Sequence, residues 1–300
     1  MEIAAALPVG LTARAMTVED IDAVVAMVNE CELHDTGELM MERADMLADS
    51  STTGFDRERD WVVALDGDRP VGWGLLVHLR SAWVDVHLSA RGRGLGTWLR
   101  EWSVARAREK GAPRVGQTIN DRCSDAVELF QAAGYSPRYT SWILRMKLPE
   151  RPADPVPPEG VTLRTYRPED ETEALTMFEE AFSEFADRLP STLDNWRAFT
   201  TEREGFVPDD LVLAEADGKI VGGAHLLDAD EIWVGGLATH RDYRHRGIAR
   251  ALLHVSFQRS YDRGYRRTSV STDSKTGALA LYERVGMTVH ESFTHWAIDL

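Results

Sequence analysis

Apolar and polar positions alternate along Leu211–Ala216 and again along Ile220–Leu227, with Asp217-Gly218 between the two runs. Period-two alternation reads as half-buried strand. Asp-Gly suits a two-residue hairpin turn because both turn positions need positive φ. Downstream, Ile232–Leu237 is an apolar run of strand length, and Ile248–Arg263 changes to helical spacing before stopping at Gly264. Arg267–Thr272 predicts a further strand, Thr276–Val285 a short helix ended by Gly286, and Thr288–Phe293 with His295–Leu300 two closing strands. A strand and one or two helices precede the hairpin.

This order is written twice. Gly10-Leu11-Thr12-Ala13-Arg14 corresponds to Gly160-Val161-Thr162-Leu163-Arg164, and Trp61–Gly72 to Leu211–Gly222, both at an offset of 150 residues. Ala133-Gly134-Tyr135 corresponds to Val285-Gly286-Met287 at an offset of 152. A period of this length marks a duplicated domain rather than a solenoid. Between the copies stand Pro149, Pro152, Pro155, Pro157 and Pro158, which predict a stiff, extended linker over residues 149–160. The chain is expected to hold one domain over residues 1–148 and another over 161–300. Each is an α/β layer with a mixed sheet flanked by helices.

Composition suits that plan. Of 300 residues, 43% are hydrophobic, enough for a core in each copy. The net charge is −15 and neither half has a basic surplus. This argues against nucleic acid as a partner and slightly favours a small cation. No apolar run reaches membrane-span length, and Met1–Val9 lacks the basic start of a secretory leader. Cys31 and Cys123 form neither a metal motif nor a disulfide framework. Two inert thiols in a reducing, cytoplasmic setting are expected, with no metal site.

Candidate chemistry lies between the Ile232–Leu237 run and the helix that starts at Ile248. The turn there reads Arg244-His245-Arg246-Gly247, and the first copy carries Arg91-Gly92-Arg93-Gly94 at an offset of 153. A strand handing over to a helix through such a turn aims backbone N–H groups and the positive end of the helix dipole at one point, which suits a phosphate. Arginine ordinarily favours helix C-termini, so arginines at an N-terminus call for an anion. Gly247 and Gly94 allow close approach without a Cβ, and the arginines offer charge-assisted bonds. Gly235-Gly236 inside the preceding run predicts a bulge or a close backbone approach.

Arg244-x-x-Gly247-x-Ala249, its twin Arg91-x-x-Gly94-x-Gly96, and Asp273-Ser274-x-x-x-Ala278-Leu279-x-Leu281-Tyr282-Glu283-x-x-Gly286-Met287 together resemble the GNAT acetyltransferase superfamily. The duplicated layout resembles its tandem branch, which includes mycothiol synthase. The resemblance implies two splayed-sheet GNAT-like domains and acetyl-CoA as acyl-donor cosubstrate. It implies that Arg244, His245, Arg246, Gly247, Ile248 and Ala249 hold the diphosphate, with Arg91, Arg93, Gly94 and Gly96 as their counterparts. It further implies that Gly235, Gly236 and Leu237 line the pantetheine arm and supply an amide to the thioester oxygen. Ser274, where many members have asparagine, would touch the coenzyme. Tyr282 would protonate the departing thiolate. Glu231 would act as general base, directly or through water, with Asp230 a weaker substitute.

The first copy departs from this pattern. Phe130 stands where Tyr282 falls in the second, and Arg80-Ser81-Ala82-Trp83 has no carboxylate to match Glu231. That copy is expected to bind acyl-CoA unproductively or only to shape the interface. Residues 29–55 and 179–206 are least like the family and cover the acceptor site in its members. Phe178, Glu179, Glu180, Phe182, Glu184, Phe185 and Asp187, with Trp196 and Phe199, suit a cation with an apolar body. An amphipathic helix with a solvated acidic face accounts for the same pattern. His34 and His225 are acceptor-side candidates, and structural histidines by the alternative reading. The expected activity is direct acetyl transfer to the amine of a small metabolite by a monomer, in mycothiol biosynthesis or antibiotic acetylation. A non-catalytic acyl-CoA sensor and a protein N-acetyltransferase are the alternatives.

Overall fold

Asp217 and Gly218 take φ values of 54° and 71°, the two positive values the hairpin requires. The flanking strands pair from Leu211↔His225 to Ala216↔Lys219. The structure is a computed structural model, described over residues 3–77, 81–184 and 190–300. The chain packs as two compact units, one of Met1–Thr140 with Phe293–Leu300, the other of Ser141–Ser292.

The first repeat runs β1 (Leu11–Ala15), α1 (Ile21–Asp35), α2 (Arg43–Ser50), β2 (Trp61–Asp66), β3 (Arg69–Val77), β4 (Ser81–Val86), α3 (Leu95–Glu109), β5 (Arg114–Asn120), α4 (Ser124–Ala132) and β6 (Ser136–Lys147). The second runs β7 (Thr162–Thr165), α5 (Glu171–Phe182), α6 (Leu193–Phe199), β8 (Leu211–Ala216), β9 (Lys219–Asp228), β10 (Ile232–Thr239), α7 (Ile248–Asp262), β11 (Arg267–Asp273), α8 (Leu279–Arg284) and β12 (Thr288–Asp299).

The sheet of the first unit has the order β1-β2-β3-β4-β5 and ends on residues 293–299 of β12, antiparallel to β5. The sheet of the second unit has the order β7-β8-β9-β10-β11 and ends on residues 141–147 of β6, antiparallel to β11. Each unit therefore takes its last strand from the other repeat. The compact units consequently divide at different residues from the sequence repeats, whose junction was read at 149–160. That junction is pinned to α7, through Arg151 Nε to Asp262 Oδ1 at 2.8 Å and Gln258 Nε2 to Asp154 Oδ1 at 2.8 Å.

Two local expectations change. The closing strands read as Thr288–Phe293 and His295–Leu300 are one continuous strand, β12. The helix expected from Thr276 begins at Leu279. Asp273 Oδ1 accepts the backbone N–H groups of Lys275 and Thr276 at 2.8 and 3.0 Å, an Asx turn that competes with helix here.

In the second unit, one face of the sheet buries Leu226, Val234, Val270 and Leu144 with Leu253 and Phe257 of α7 and Tyr282 of α8. The other face buries Leu211, Leu213 and Ala238 beneath Phe178, Met177 and Trp196 of α5 and α6. The first unit repeats these two layers. Cys31 and Cys123 are free, and burial pushes both thiols up to about 11. Among the described residues, no helix is long and apolar enough to cross a membrane, and no cluster of three or more His, Cys, Asp or Glu is arranged to hold a metal.

Candidate active site

β10 pairs in parallel with β11 only from Ile232↔Thr268 to Val234↔Val270. Its other edge stays on β9 as far as Thr239↔Gly222, with a bulge between Val234 and Gly236. From Gly235 onward the edge of β10 that faced β11 has no strand partner among the described residues, so the sheet splays open. Gly235 marks this point for a steric reason. A Cβ on Gly235 would stand 2.8 Å from Leu227 Cδ1, closer than packed carbons tolerate.

The basic turn follows β10. Gly247 is the N-cap of α7 at φ 87°, with no side-chain cap and no acidic residue in the first turn. The first amides of α7 therefore lack a capping side chain and point to one spot. A Cβ at Gly247 would meet only Pro158 Cγ, at 3.7 Å. Gly94 repeats the geometry ahead of α3 at φ 91°.

The two arginines of the turn differ in role. Arg244 donates from Nε to Thr239 O at 3.2 Å, from Nη1 to Glu184 at 2.7 Å and from Nη2 to Ala181 O at 3.0 Å. It clamps the turn to the end of β10 and to the segment at the end of α5. Arg91 does the same in the first unit, through Val86 O at 3.2 Å and a bidentate pair with Asp35 at 2.8 and 2.6 Å. Both were expected on the phosphate, and in this structure their guanidinium groups also hold partners within the protein. Arg246 is exposed, with Cζ 4.7 Å from the centroid of the Tyr243 ring. Arg93 pairs with Asp66 at 3.1 Å. The donor set in the second unit is thus a row of uncapped amides, a glycine without Cβ and Arg246. That set fits a diphosphate. Ser274 is exposed in the turn before α8.

The proton-carrying candidates lie on opposite faces of the second sheet. Tyr282 is 5% exposed in the layer under α7 and α8. Burial pushes its phenol up to about 12, so it holds its proton at neutral pH. Phe130, its counterpart, is 4% exposed and packs edge-on against Tyr135.

Glu231 is 3% exposed. Its Oε1 accepts from Arg145 Nη2 at 2.8 Å, and Oε2 lies 3.1 Å from Arg267 Nε without a hydrogen bond. Arg145 also reaches Ser269 Oγ at 3.3 Å and His290 Nε2 at 2.9 Å. Register places Arg145, Ser269, Trp233 and Leu227 in one row, on the face covered by α5. Asp230 is exposed. No sequence motif signals Arg145 or Arg267, since Arg145 belongs to the other repeat.

The acidic residues of the acceptor segment serve local structure. Glu179 Oε2 accepts from Ser191 N at 3.1 Å, Glu180 lies 3.3 Å from His240, and Glu184 holds Arg244. Phe178, Phe182 and Trp196 pack in the core layer. Phe185 and Asp187 lie outside the described residues, as does Arg80. His34 is exposed and pairs with Asp35 at 2.9 Å. His225, by contrast, is 7% exposed opposite Gly236, and its Nε2 has no hydrogen-bond partner among the described residues.

Residues 22–135 and again 172–287 match the acetyltransferase (GNAT) family. The chain belongs to the GNAT acetyltransferases. It is 31% identical to a mycothiol acetyltransferase of Thermomonospora curvata over 227 residues, 73% of this chain and 72% of that protein. A solved GCN5-related N-acetyltransferase from Sphaerobacter thermophilus is 31% identical with a TM-score of 0.79, covering 98% of this chain and 97% of that one. A tandem GNAT protein from the clavulanic acid biosynthesis pathway shares the fold, at 16% identity and a TM-score of 0.73, covering 96% and 98%. The present chain is thus an acetyltransferase with acetyl-CoA as acyl donor.

Proposed function

We propose that the second copy transfers acetyl from acetyl-CoA directly to the amine of a small metabolite, with Tyr282 as acid and Glu231 as base. The observation that supports this reading is that Tyr282 and Glu231 lie on opposite faces of a sheet that opens at Gly235, with Glu231 further down the strand. A thioester held in that opening has one face open to an incoming amine and its sulfur directed to the other. Bound acetyl-CoA supplies the acetyl group and the thiolate. The first amides of α7 and Arg246 hold its diphosphate, and an amide of the Gly236–Leu237 region faces the carbonyl oxygen. Tyr282 donates a proton to the sulfur. Glu231 is about 16 Å along the strand from Gly236 at the usual rise per residue, so it takes the amine proton through a chain of several waters, at Oε2.

The first copy, with Phe130 in place of Tyr282, has no acid there. It holds acyl-CoA unproductively or serves as a structural partner. The catalytic copy corresponds to residues 161–300, and the protein works as a monomer in the cytoplasm, without nucleic acid or membrane. The acceptor is an amine in mycothiol biosynthesis, the setting that the name of the Thermomonospora curvata relative suggests, or the amine of an antibiotic.

The test follows free thiol released from acetyl-CoA with a panel of amines. Release is expected to depend on the amine, and Tyr282→Phe is expected to lower kcat by roughly 10²–10⁴-fold, the usual contribution of a positioned acid, with the KM for acetyl-CoA little changed. Full activity in Tyr282→Phe would remove the acid assignment. Tight acetyl-CoA binding with no thiol release for any amine would favour a sensor.

A further inference from the structure

We propose that His225 is an acceptor-binding residue, whose Nε2 forms a hydrogen bond with the attacking amine above the Gly236 step of β10. This rests on the amine-transfer reading above and names the group that receives the acceptor in it.

Three observations carry it. Nε2 of His225 is buried and has no hydrogen-bond partner among the described residues. Buried polar groups are nearly always paired, so an orphan of this kind calls for a partner that arrives. The location is also specific. His225 pairs in register with Gly236, the first step past the bulge, where the far edge of β10 is open. A Cβ on Gly236 would lie 3.6 Å from Phe178 Cε1 and 3.7 Å from His225 Cβ. The missing side chain thus leaves room for about a methyl group between the Phe178 ring and the Cβ of His225, beside the strand edge where the thioester would lie.

The other repeat provides the contrast. At an offset of 150 His225 corresponds to Leu75, and at 153 Gly236 corresponds to Trp83. Leu75 and Trp83 are a register pair in the first unit. The copy that has Phe130 for Tyr282 thus also has an apolar residue for His225 and a large side chain where the space would be. A packing role alone is met by leucine there. Burial first, and the charge of Arg203 second, pull the imidazole of His225 down to about 4, so it is neutral at working pH and offers a hydrogen bond without adding a charge. Glu231, further down the strand, is too distant to touch the same nitrogen.

Two measurements test this on the full chain. Acetyl transfer to cysteamine, glucosamine, cysteine methyl ester and putrescine is followed in wild type, His225→Phe and His225→Asn. The imidazole ¹⁵N resonances of wild type are followed as each amine is added with coenzyme A present. His225→Phe is expected to lower kcat/KM for the accepted amine by roughly tenfold to a hundredfold, the effect of one lost buried hydrogen bond, without raising the KM for acetyl-CoA. His225→Asn, which keeps a polar partner, is expected to recover much of the loss. The Nε2 resonance is expected to move on amine addition. Wild-type amine kinetics in His225→Phe, or an Nε2 resonance unmoved by every amine, overturns the proposal. If wild type transfers to none of the amines and Nε2 still moves, the transfer reading falls and the binding role of His225 stands.

Discussion

Arg145 Nη2 donates to Glu231 Oε1 at 2.8 Å, joining a strand of the first repeat to the residue just ahead of β10. Both side chains are nearly inaccessible, at 11% and 3% exposed. Removing one partner of a buried pair leaves an uncompensated charge, which costs about 3–5 kcal/mol. Arg145→Ala is expected near the lower end of that range, because Arg267 still lies 3.1 Å from Oε2. Chemical denaturation of Arg145→Ala, Glu231→Gln and the double variant checks this. The double variant is expected to be less destabilised than the sum of the two singles, and strict additivity would mean that the pair is not coupled.

The bulge predicts an asymmetry between adjacent glycines. A methyl group on Gly235 meets Leu227 Cδ1 at 2.8 Å and Cγ at 2.9 Å, whereas one on Gly236 meets its neighbours at 3.6 and 3.7 Å. Leu227 must move in the first case and nothing must move in the second. Gly235→Ala is expected to lose about 1–3 kcal/mol, the range for overpacking, and Gly236→Ala is expected to fold with near wild-type stability. Equal denaturation midpoints for the two variants would contradict the bulge geometry.

His245 predicts a gain. It sits at φ 61°, a left-handed value that glycine adopts freely, and Gly92 takes 71° at the corresponding position. The strain of a non-glycine residue there is about 1–2 kcal/mol, partly offset by the extra freedom glycine gains on unfolding. His245→Gly is expected to raise stability by up to about 1 kcal/mol. A lower thermal midpoint would show that the side chain supports the turn.

How much of this was legible in the sequence depends on the range of the forces involved. The Asp217-Gly218 hairpin, the glycine N-cap of α7 and the bulge at Gly235-Gly236 are set by local backbone requirements, so residue types mark them directly. The intramolecular partners of the turn arginines were not legible. Arg244 reads as a phosphate ligand, and nothing in its motif signals that Glu184 and Ala181 O hold it as well, since those partners lie some sixty residues away. The exchange of last strands was hidden for the same reason, because alternation in Ser136–Lys147 is identical whichever sheet receives it. Tyr282 is proposed from its motif, and His225 needed the register to show that its neighbour is a glycine.

The same histidine fixes the sign of one acid-stability effect. Its ordinary value is 6.5, and in the folded protein burial and Arg203 hold it near 4. Between these values the unfolded chain binds a proton that the native state refuses. Stability is therefore unaffected by this group above pH 6.5, falls as pH drops from 6.5 to 4, and levels off below. A shift of this size corresponds to a loss of about 3 kcal/mol. Glu32 acts in the opposite sense. Burial raises its carboxyl to about 7, against the backbone N–H groups of Met40 and Met41, so its contribution declines as pH rises from the ordinary carboxylate range through 7. Wild type alone mixes the two effects, and the difference between wild type and His225→Asn isolates the first. That difference in unfolding free energy, measured by urea denaturation at intervals from pH 7 to pH 4, is expected to shift in favour of the variant as pH falls. A difference that stays flat across the window would mean that solvent reaches Nε2 in the folded state.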